Sequence, residues 1–482
     1  MTKERFYVTT AIDYVNAKPH IGHAYQKIIA DVLARWNRLA GKDVFFVTGT
    51  DEHGRKVQEA AEKAGVPVKE FVDSVVAEFK NAWKALNIEY DRFIRTTDKD
   101  HEKIVKEFIL KCNKAGEIYK GTYSGLYCTG CEKFYTEKEV KDNLCPLHNR
   151  KLEKINEETY FFKLSNYTNK LLKLYKEKPE FVQPEIRRNE VINRVKEGLR
   201  DLSITRTSFD WGIPFPLDKK HVVYVWFDAL INYYTATRKK GKEKFWGKPT
   251  VHLIGKDNTW FHTVYWPAML MSAGIELPGR TFNHGFLTFN GKKISKSLGN
   301  AINPKVLVEK YGADTIRYFV CRHFPFASGA DGDFDEKALI ERHNGELANK
   351  LGNLVSRVLG LIEKNGLEKT ENSLKVDIKK INSLMESFEI DKALNEIFGF
   401  IDLCNEYIQK KKPWETKDKK VLYELADSIK KISILLYAFI PETCKKISKQ
   451  FGGYEFNFKE LHKPLNARAK IKKGEILFKK IN

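Results

Sequence analysis

The spacing of apolar and polar positions changes several times along the chain, and each change predicts an element. Residues 5–12, RFYVTTAI, are a short apolar run of the kind that builds a buried strand. A polar loop, DYVNAKPHIGHA, follows. Ile28, Ile29, Val32, Leu33 and Trp36 then recur at helical spacing until Gly41 ends the run. The next strand, DVFFV at 43–47, spills into TGTDEHG, and a new amphipathic stretch begins near Lys56. Strand, loop and helix in repetition predict a parallel sheet with ligands at the carboxyl ends of its strands.

Around residue 119 the chain becomes short-spaced, polar and turn-rich, which predicts an insertion rather than another strand–helix unit. Helical spacing returns at 186–199. HVVYVWFDALINYY (221–234) and TVHLIGKDNTWFHTVYWPAML (250–270) resume the strand-then-helix order, so the doubly wound sheet is predicted to be split. Beyond about 335 the pattern is helical throughout. Ile390, Leu394, Ile397, Ile401, Cys404 and Ile408 form one stripe; Val421, Leu425, Ile429, Ile432, Leu436 and Phe439 form another, ahead of Pro441. This period predicts a helix bundle.

Size and charge narrow the partners. The 482 residues exceed what one core organises, so two or three domains are expected. The net charge of +21 fits an anionic partner, nucleic acid first, and equally a solvated lysine-rich surface; charge alone does not separate the two. No run of 18 apolar residues exists to span a membrane, and the amino-terminal stretch lacks the features of a signal peptide. The seven cysteines are an odd count with one tight cluster, which suits a reducing compartment and a metal site better than a disulfide framework.

Five stretches could carry chemistry. His20 and His23 in KPHIGHA lie three apart at a helix start, where unpaired N–H groups favour an anion and two imidazoles can donate to phosphate; capping or packing is the competing role. GKKISKSLGN (291–300) sets three lysines among glycines and hydroxyls, a loop able to meet developing phosphate charge. Asp51, at a strand's carboxyl end, could hold an ammonium or a ribose hydroxyl. Cys128-Thr-Gly-Cys131 and Cys145-Pro-Leu-His148, with 13 residues between the pairs, have the spacing of a closed, structural tetrahedral zinc site. KKKPWE (410–415) sets Trp414 beside cations, a platform for an unpaired base or a cap on the bundle core.

Together these residues resemble class I aminoacyl-tRNA synthetases, and within them the methionyl-tRNA synthetase family. His20-Ile21-Gly22-His23 matches the family's HIGH motif, and Lys293-Ile294-Ser295-Lys296-Ser297 its KMSKS loop with Ile for Met. The resemblance covers nearly the whole chain. It implies an α/β fold: a Rossmann-like parallel sheet split by a zinc-knuckle insertion and followed by an α-helical bundle. The implied division is 1–118 and 221–285 for the halves of the catalytic domain, and 119–220 for the insertion. A linker with the KISKS loop would span 286–338, and an anticodon-binding domain 339–482.

The resemblance also implies roles. His20, Gly22, His23, Gly255, Asp257, Lys293, Ser295 and Lys296 would bind ATP, with His20, His23, Lys293 and Lys296 catalytic. Ala11, Ile12, Tyr14, Asp51, Trp226, Ala229, Tyr233, Phe261 and His262 would form the methionine pocket, with Asp51 on the ammonium and Tyr233 and His262 nearest the sulfur. Asn353, Arg357, Pro413 and Trp414 would read the anticodon of tRNA(Met). One structural Zn2+, held by Cys128, Cys131, Cys145 and His148, and Mg2+ accompanying ATP are the implied cofactors. A cytoplasmic monomer without the appended dimerisation domain of some relatives is implied, with L-methionine, ATP and tRNA(Met) as partners and no membrane. The sequence departs from the family at Asp13 and Leu230, where many relatives have proline, at Asn258, where many have an apolar residue, and at His148, where four-cysteine knuckles are commoner. Another class I synthetase, or a zinc-containing RNA-binding protein without catalysis, is the competing expectation.

Overall fold

Seven parallel strands form the central sheet of the computed structural model, which describes residues 3–128, 133–135, 140–146, 149–289, 291–293 and 302–482. The first part of the chain supplies β1 (Arg5–Thr10), β2 (Asp13–Tyr14), β3 (Asp43–Asp51) and β4 (Arg92–Arg95), with α1 (Ile21–Leu39), α2 (Arg55–Ala64) and α3 (Val68–Ala85) between them. The following segment leaves the sheet. In it β5 (Ile118–Cys128), β6 (Lys133–Tyr135) and β7 (Glu153–Phe162) pair antiparallel; β8 (Val182–Gln183) returns to the edge of the central sheet, and β9 (Leu202–Ser203) adds to β7. A two-residue antiparallel pair, β10 (Thr205–Arg206) with β11 (Val222–Val223), precedes β12 (Thr250–Gly255) and β13 (Arg280–His284), which complete the sheet. The strand order is β2-β3-β1-β12-β13-β8, with β4 also on β3. The chain leaves β1 towards β3 on one side and reaches β12 on the other, so a crevice opens between the carboxyl ends of β1 and β12.

The apolar run at 221–234 does not supply a central strand as its pattern predicts. Only Val222 and Val223 pair, antiparallel to β10, and the chain then turns into short helices at Val225–Ala229 and Asn232–Ala236. Its side chains are buried all the same, because these helices pack under the sheet in the same apolar cluster as β3 and β4. β3 runs on past the predicted DVFFV to Asp51, carrying that carboxylate to the crevice.

In the bundle, all twelve stripe residues predicted on the helices Ile390–Lys411 and Lys419–Leu436 and at Phe439 are buried. The polar side of α1 is covered too: Asp31 and Arg35 are buried beside Arg317 and the bundle, and Gln26 and Lys27 are buried at the crevice. Asp31 accepts from Arg35 Nε and lies 2.7 Å from Arg317 Nη2. Arg317 is itself fully buried and donates to the carbonyls of Phe439 and Ala438, so one guanidinium joins the sheet domain to the bundle. Burial pushes the Asp31 carboxyl up, but Arg317 and Arg35 outweigh it and hold the group below the usual carboxylate range. Among the described residues no helix is long and apolar enough to cross a membrane.

Candidate active site

A cavity of about 660 Å³ occupies the crevice at the carboxyl ends of β1, β2, β3, β12 and β13. One wall is the start of α1. His20 is the helix N-cap: its Nδ1 accepts from the Gly22 N–H at 3.1 Å, while the His20 N–H donates to His23 Nδ1 at 3.2 Å. The two imidazoles stack with centroids 3.8 Å apart. A ring nitrogen that accepts from a backbone N–H carries no proton, so in each neutral ring the proton sits on Nε2. Capping does not preclude anion binding: Nδ1 serves the helix, and Nε2 carries the proton in residues that line the cavity.

The opposite side is built from Gly255 and Asp257 after β12. A Cβ on Gly255 would lie 2.7 Å from Asp257 Oδ1, so a larger residue there would displace the Asp257 carboxylate. The deep end is aromatic. Trp226 and Phe261 stack at 3.6 Å with planes 5° apart, and Tyr14, Ala229 and Tyr233 join them in the lining. Phe261–Tyr265 is one π-helical turn, a distortion common at functional sites, and it carries His262. His262 Nδ1 donates to the Asn258 carbonyl at 2.9 Å, so its Nε2 accepts from the Tyr233 hydroxyl at 2.7 Å. Burial lowers the His262 pKa to about 4 and raises that of Tyr233, so both are neutral and the hydroxyl proton is committed to the imidazole. The two residues expected to read a sulfur thus face each other in this arrangement. Asp51, Ala11 and Ile12 complete the lining, so the residues named from the sequence for methionine and those described for ATP share one cavity.

Of Lys293 the backbone alone is described. It pairs with Thr288 in β15 (Lys292–Lys293) against β14 (Leu287–Phe289), next to Leu287, which lines the cavity. Ser295 and Lys296 lie outside the described residues. At the far end of that stretch, the Ile302 carbonyl accepts from the Ile21 N–H within the HIGH motif at 3.0 Å. The described residues that flank this stretch, Lys293 and Ile302, are thus held by β14 beside the cavity and by the start of α1.

Cys128 and Cys145 are buried in a small cluster with Tyr135 and Leu152, and Cys145 Sγ lies 3.6 Å from the Tyr135 hydroxyl. Cys131 and His148 lie outside the described residues. Elsewhere Glu158, Asp218 and His221 converge, but Lys120 Nζ sits 2.8 Å from Glu158 and 3.6 Å from Asp218 and offsets one of the two carboxylate charges. In the bundle, Asn353 and Arg357 are exposed on one helix face. Trp414 is 44% exposed and Pro413 is buried at the first position of a short helix flanked by left-handed Lys412 and Lys417.

The class I tRNA synthetase family (M) matches residues 6–155 and 139–359, and the anticodon-binding domain of tRNA ligases matches 370–481. A methionine–tRNA ligase of Caldanaerobacter subterraneus subsp. tengcongensis is 46% identical over 508 aligned positions, covering 100% of this chain and 79% of the relative. The chain belongs to the methionyl-tRNA synthetase family. Its fold follows that of Mycobacterium tuberculosis methionyl-tRNA synthetase in complex with methionyl-adenylate, with a TM-score of 0.93 at 39% identity over 98% of this chain and 99% of that one. The free form of the mycobacterial enzyme gives 0.86 at 36% identity, over 100% and 99%.

Sequence reasoning missed several buried partners in this family member's site. Asp13, Gln26 and Lys27 line the cavity, with Lys27 Nζ 2.5 Å from Asp13 Oδ1. Burial raises Asp13 and lowers Lys27, yet Lys27 meets three acceptors, which only an ammonium satisfies in full. Beneath the site, Asp228 receives His53 Nδ1 and His101 Nε2, each at 2.7 Å, joining the TGTDEHG and VWFDALINYY stretches. His53 and Asp228 stand inside motifs singled out from the sequence, but their pairing across 175 positions left no local signal.

Proposed function

We propose that this chain activates L-methionine with ATP and transfers it to tRNA(Met), initiator and elongator alike. A methionine carboxylate oxygen attacks the α-phosphorus of ATP, and pyrophosphate leaves. A ribose hydroxyl of the terminal adenosine then attacks the methionyl carbonyl carbon, and AMP leaves. Positioning and charge stabilisation do most of the work.

Asp51 pairs with the α-ammonium. Ala11, Ile12, Tyr14, Trp226, Ala229, Tyr233, Phe261 and His262 enclose the side chain, whose thioether suits aromatic walls. The Nε2–H groups of His20 and His23 meet the α-phosphate, Gly22, Gly255, Asp257 and Ser295 hold the nucleotide, and Lys293 and Lys296 meet the departing pyrophosphate. Magnesium, when present with ATP, spreads charge over the phosphates. Asn353, Arg357, Pro413 and Trp414 read the anticodon. Cys128, Cys131, Cys145 and His148 hold one structural zinc; the burial of Cys128 and Cys145 together in an otherwise polar segment supports this, and metal analysis should find about one zinc per chain. The protein works as a cytoplasmic monomer, with the division at 118, 220, 285 and 338 given above.

The observation that carries this reading is the single cavity lined by His20 and His23, by Gly255 and Asp257, and by Asp51, Trp226 and Phe261. The test is ATP–pyrophosphate exchange with each amino acid in turn. Exchange with methionine alone is expected; exchange with another amino acid, or none, overturns the reading.

A further inference from the structure

Lys27 is 1% exposed, and its ammonium has three partners: Asp13 Oδ1 at 2.5 Å, the Ala11 carbonyl at 3.1 Å and Gln26 Oε1 at 3.2 Å. The chain of contacts continues. Gln26 Nε2 donates to His284 Nε2 at 3.0 Å, and His284 Nδ1 donates to the Gly285 carbonyl at 2.8 Å. Ala11 follows β1 and Gly285 follows β13, so the network crosses the floor of the crevice from one lip to the other, and every member lines the cavity. The second oxygen of Asp13 is buried without a hydrogen bond, which leaves Lys27 as the hydrogen-bonding partner of that carboxylate. A solvated lysine would not hold a wall in place; one with two donors spent on the 11–13 loop and the third on Gln26, which continues the network, does.

We propose that Lys27 is a positioning residue for amino-acid selectivity. By holding the Ala11 carbonyl and Asp13 it fixes the wall against which the substrate side chain packs, and through Gln26 and His284 it ties that wall to the opposite lip. Loss of the tether lets the wall relax outwards, and a longer side chain then fits. The inference rests on reading the cavity as the methionine subsite.

The test compares ethionine, one methylene longer, with methionine as the ratio of their kcat/KM in pyrophosphate exchange. Lys27→Met alone would strand a buried carboxylate, so it is paired with Asp13→Asn. Gln26→Leu cuts the bridge without stranding a charge and decides the matter should the double variant fail to fold. The ethionine-to-methionine ratio is expected to rise about tenfold, within the range that one methylene commands in an apolar pocket. A purely structural role lowers the active fraction for both substrates equally and leaves the ratio unchanged. A ratio within about twofold of the unaltered protein's therefore overturns the proposal. If the unaltered protein activates methionine and only the ratio fails to move, the functional reading stands and this inference alone falls; if it does not activate methionine, both fall.

Discussion

On the proposed reading His23 has two tasks, one for each nitrogen of its ring, and substitution can separate them. Nδ1 accepts the His20 N–H at 3.2 Å and forms half of the capping box of α1. Losing a cap of this kind costs about 0.5–2 kcal/mol, or roughly 1–8 °C in melting temperature at the 2–4 °C per kcal/mol of a 150–250-residue domain. On the proposed reading Nε2–H meets the α-phosphate, and losing one such donor costs about 100- to 1,000-fold in rate, roughly 3–4 kcal/mol. His23→Ala should therefore cut methionine-dependent pyrophosphate exchange by about two to three orders of magnitude while lowering the melt by no more than a lost cap does. His23→Gln is the informative companion. A glutamine at the third helical position can reach back to the N-cap N–H, so it should recover the melting temperature without recovering the rate. If His23→Ala kept exchange within about tenfold of the unaltered protein, or if Gln restored rate and melt together, the ring would be a cap and nothing more.

Three further outcomes follow from the geometry. Arg317→Met removes a partner of the buried Asp31 and should cost about 3–5 kcal/mol in a urea melt; adding Asp31→Asn should recover much of that, and a single variant as stable as the parent contradicts the joint described above. His262 and His284 are held by burial near pKa 4, below the ordinary 6.5, so the unfolded chain binds the extra protons. Stability should be full above about pH 6.5 and fall as pH drops towards 4, by about 2 kcal/mol per histidine at about pH 5; a flat profile between about pH 7 and 5 contradicts their burial as neutral rings. Trp414→Ala should raise the KM for tRNA by an amount equivalent to about 1–3 kcal/mol while sparing pyrophosphate exchange; equal loss of both would assign Trp414 to the fold.

The helices of the bundle were legible because apolar period survives in any context: Ile390 to Ile408 and Val421 to Phe439 are buried as spaced. The cavity lining was legible through motifs at strand ends. What escaped depends on contacts between distant positions. The polar face of α1 reads as solvated, yet it is buried, and Arg317 compensates Asp31. Lys27 and Asp13 flank a loop whose closure the pattern does not specify. HVVYV has the composition of a core strand, but only Val222 and Val223 pair, with Thr205 and Arg206 outside the central sheet. The tautomers that put the ring protons of His20 and His23 on Nε2 follow from hydrogen bonds alone.

The central claim is that nucleotide and amino acid meet in one crevice between β1 and β12. A crystal structure with methionyl-adenylate bound tests it most directly. The account predicts the phosphate beside His20 and His23, the adenosine at Gly255 and Asp257, and the methionyl side chain against Trp226 and Phe261. An adenylate seated outside this crevice, or one whose phosphate lies away from both histidines, would contradict it.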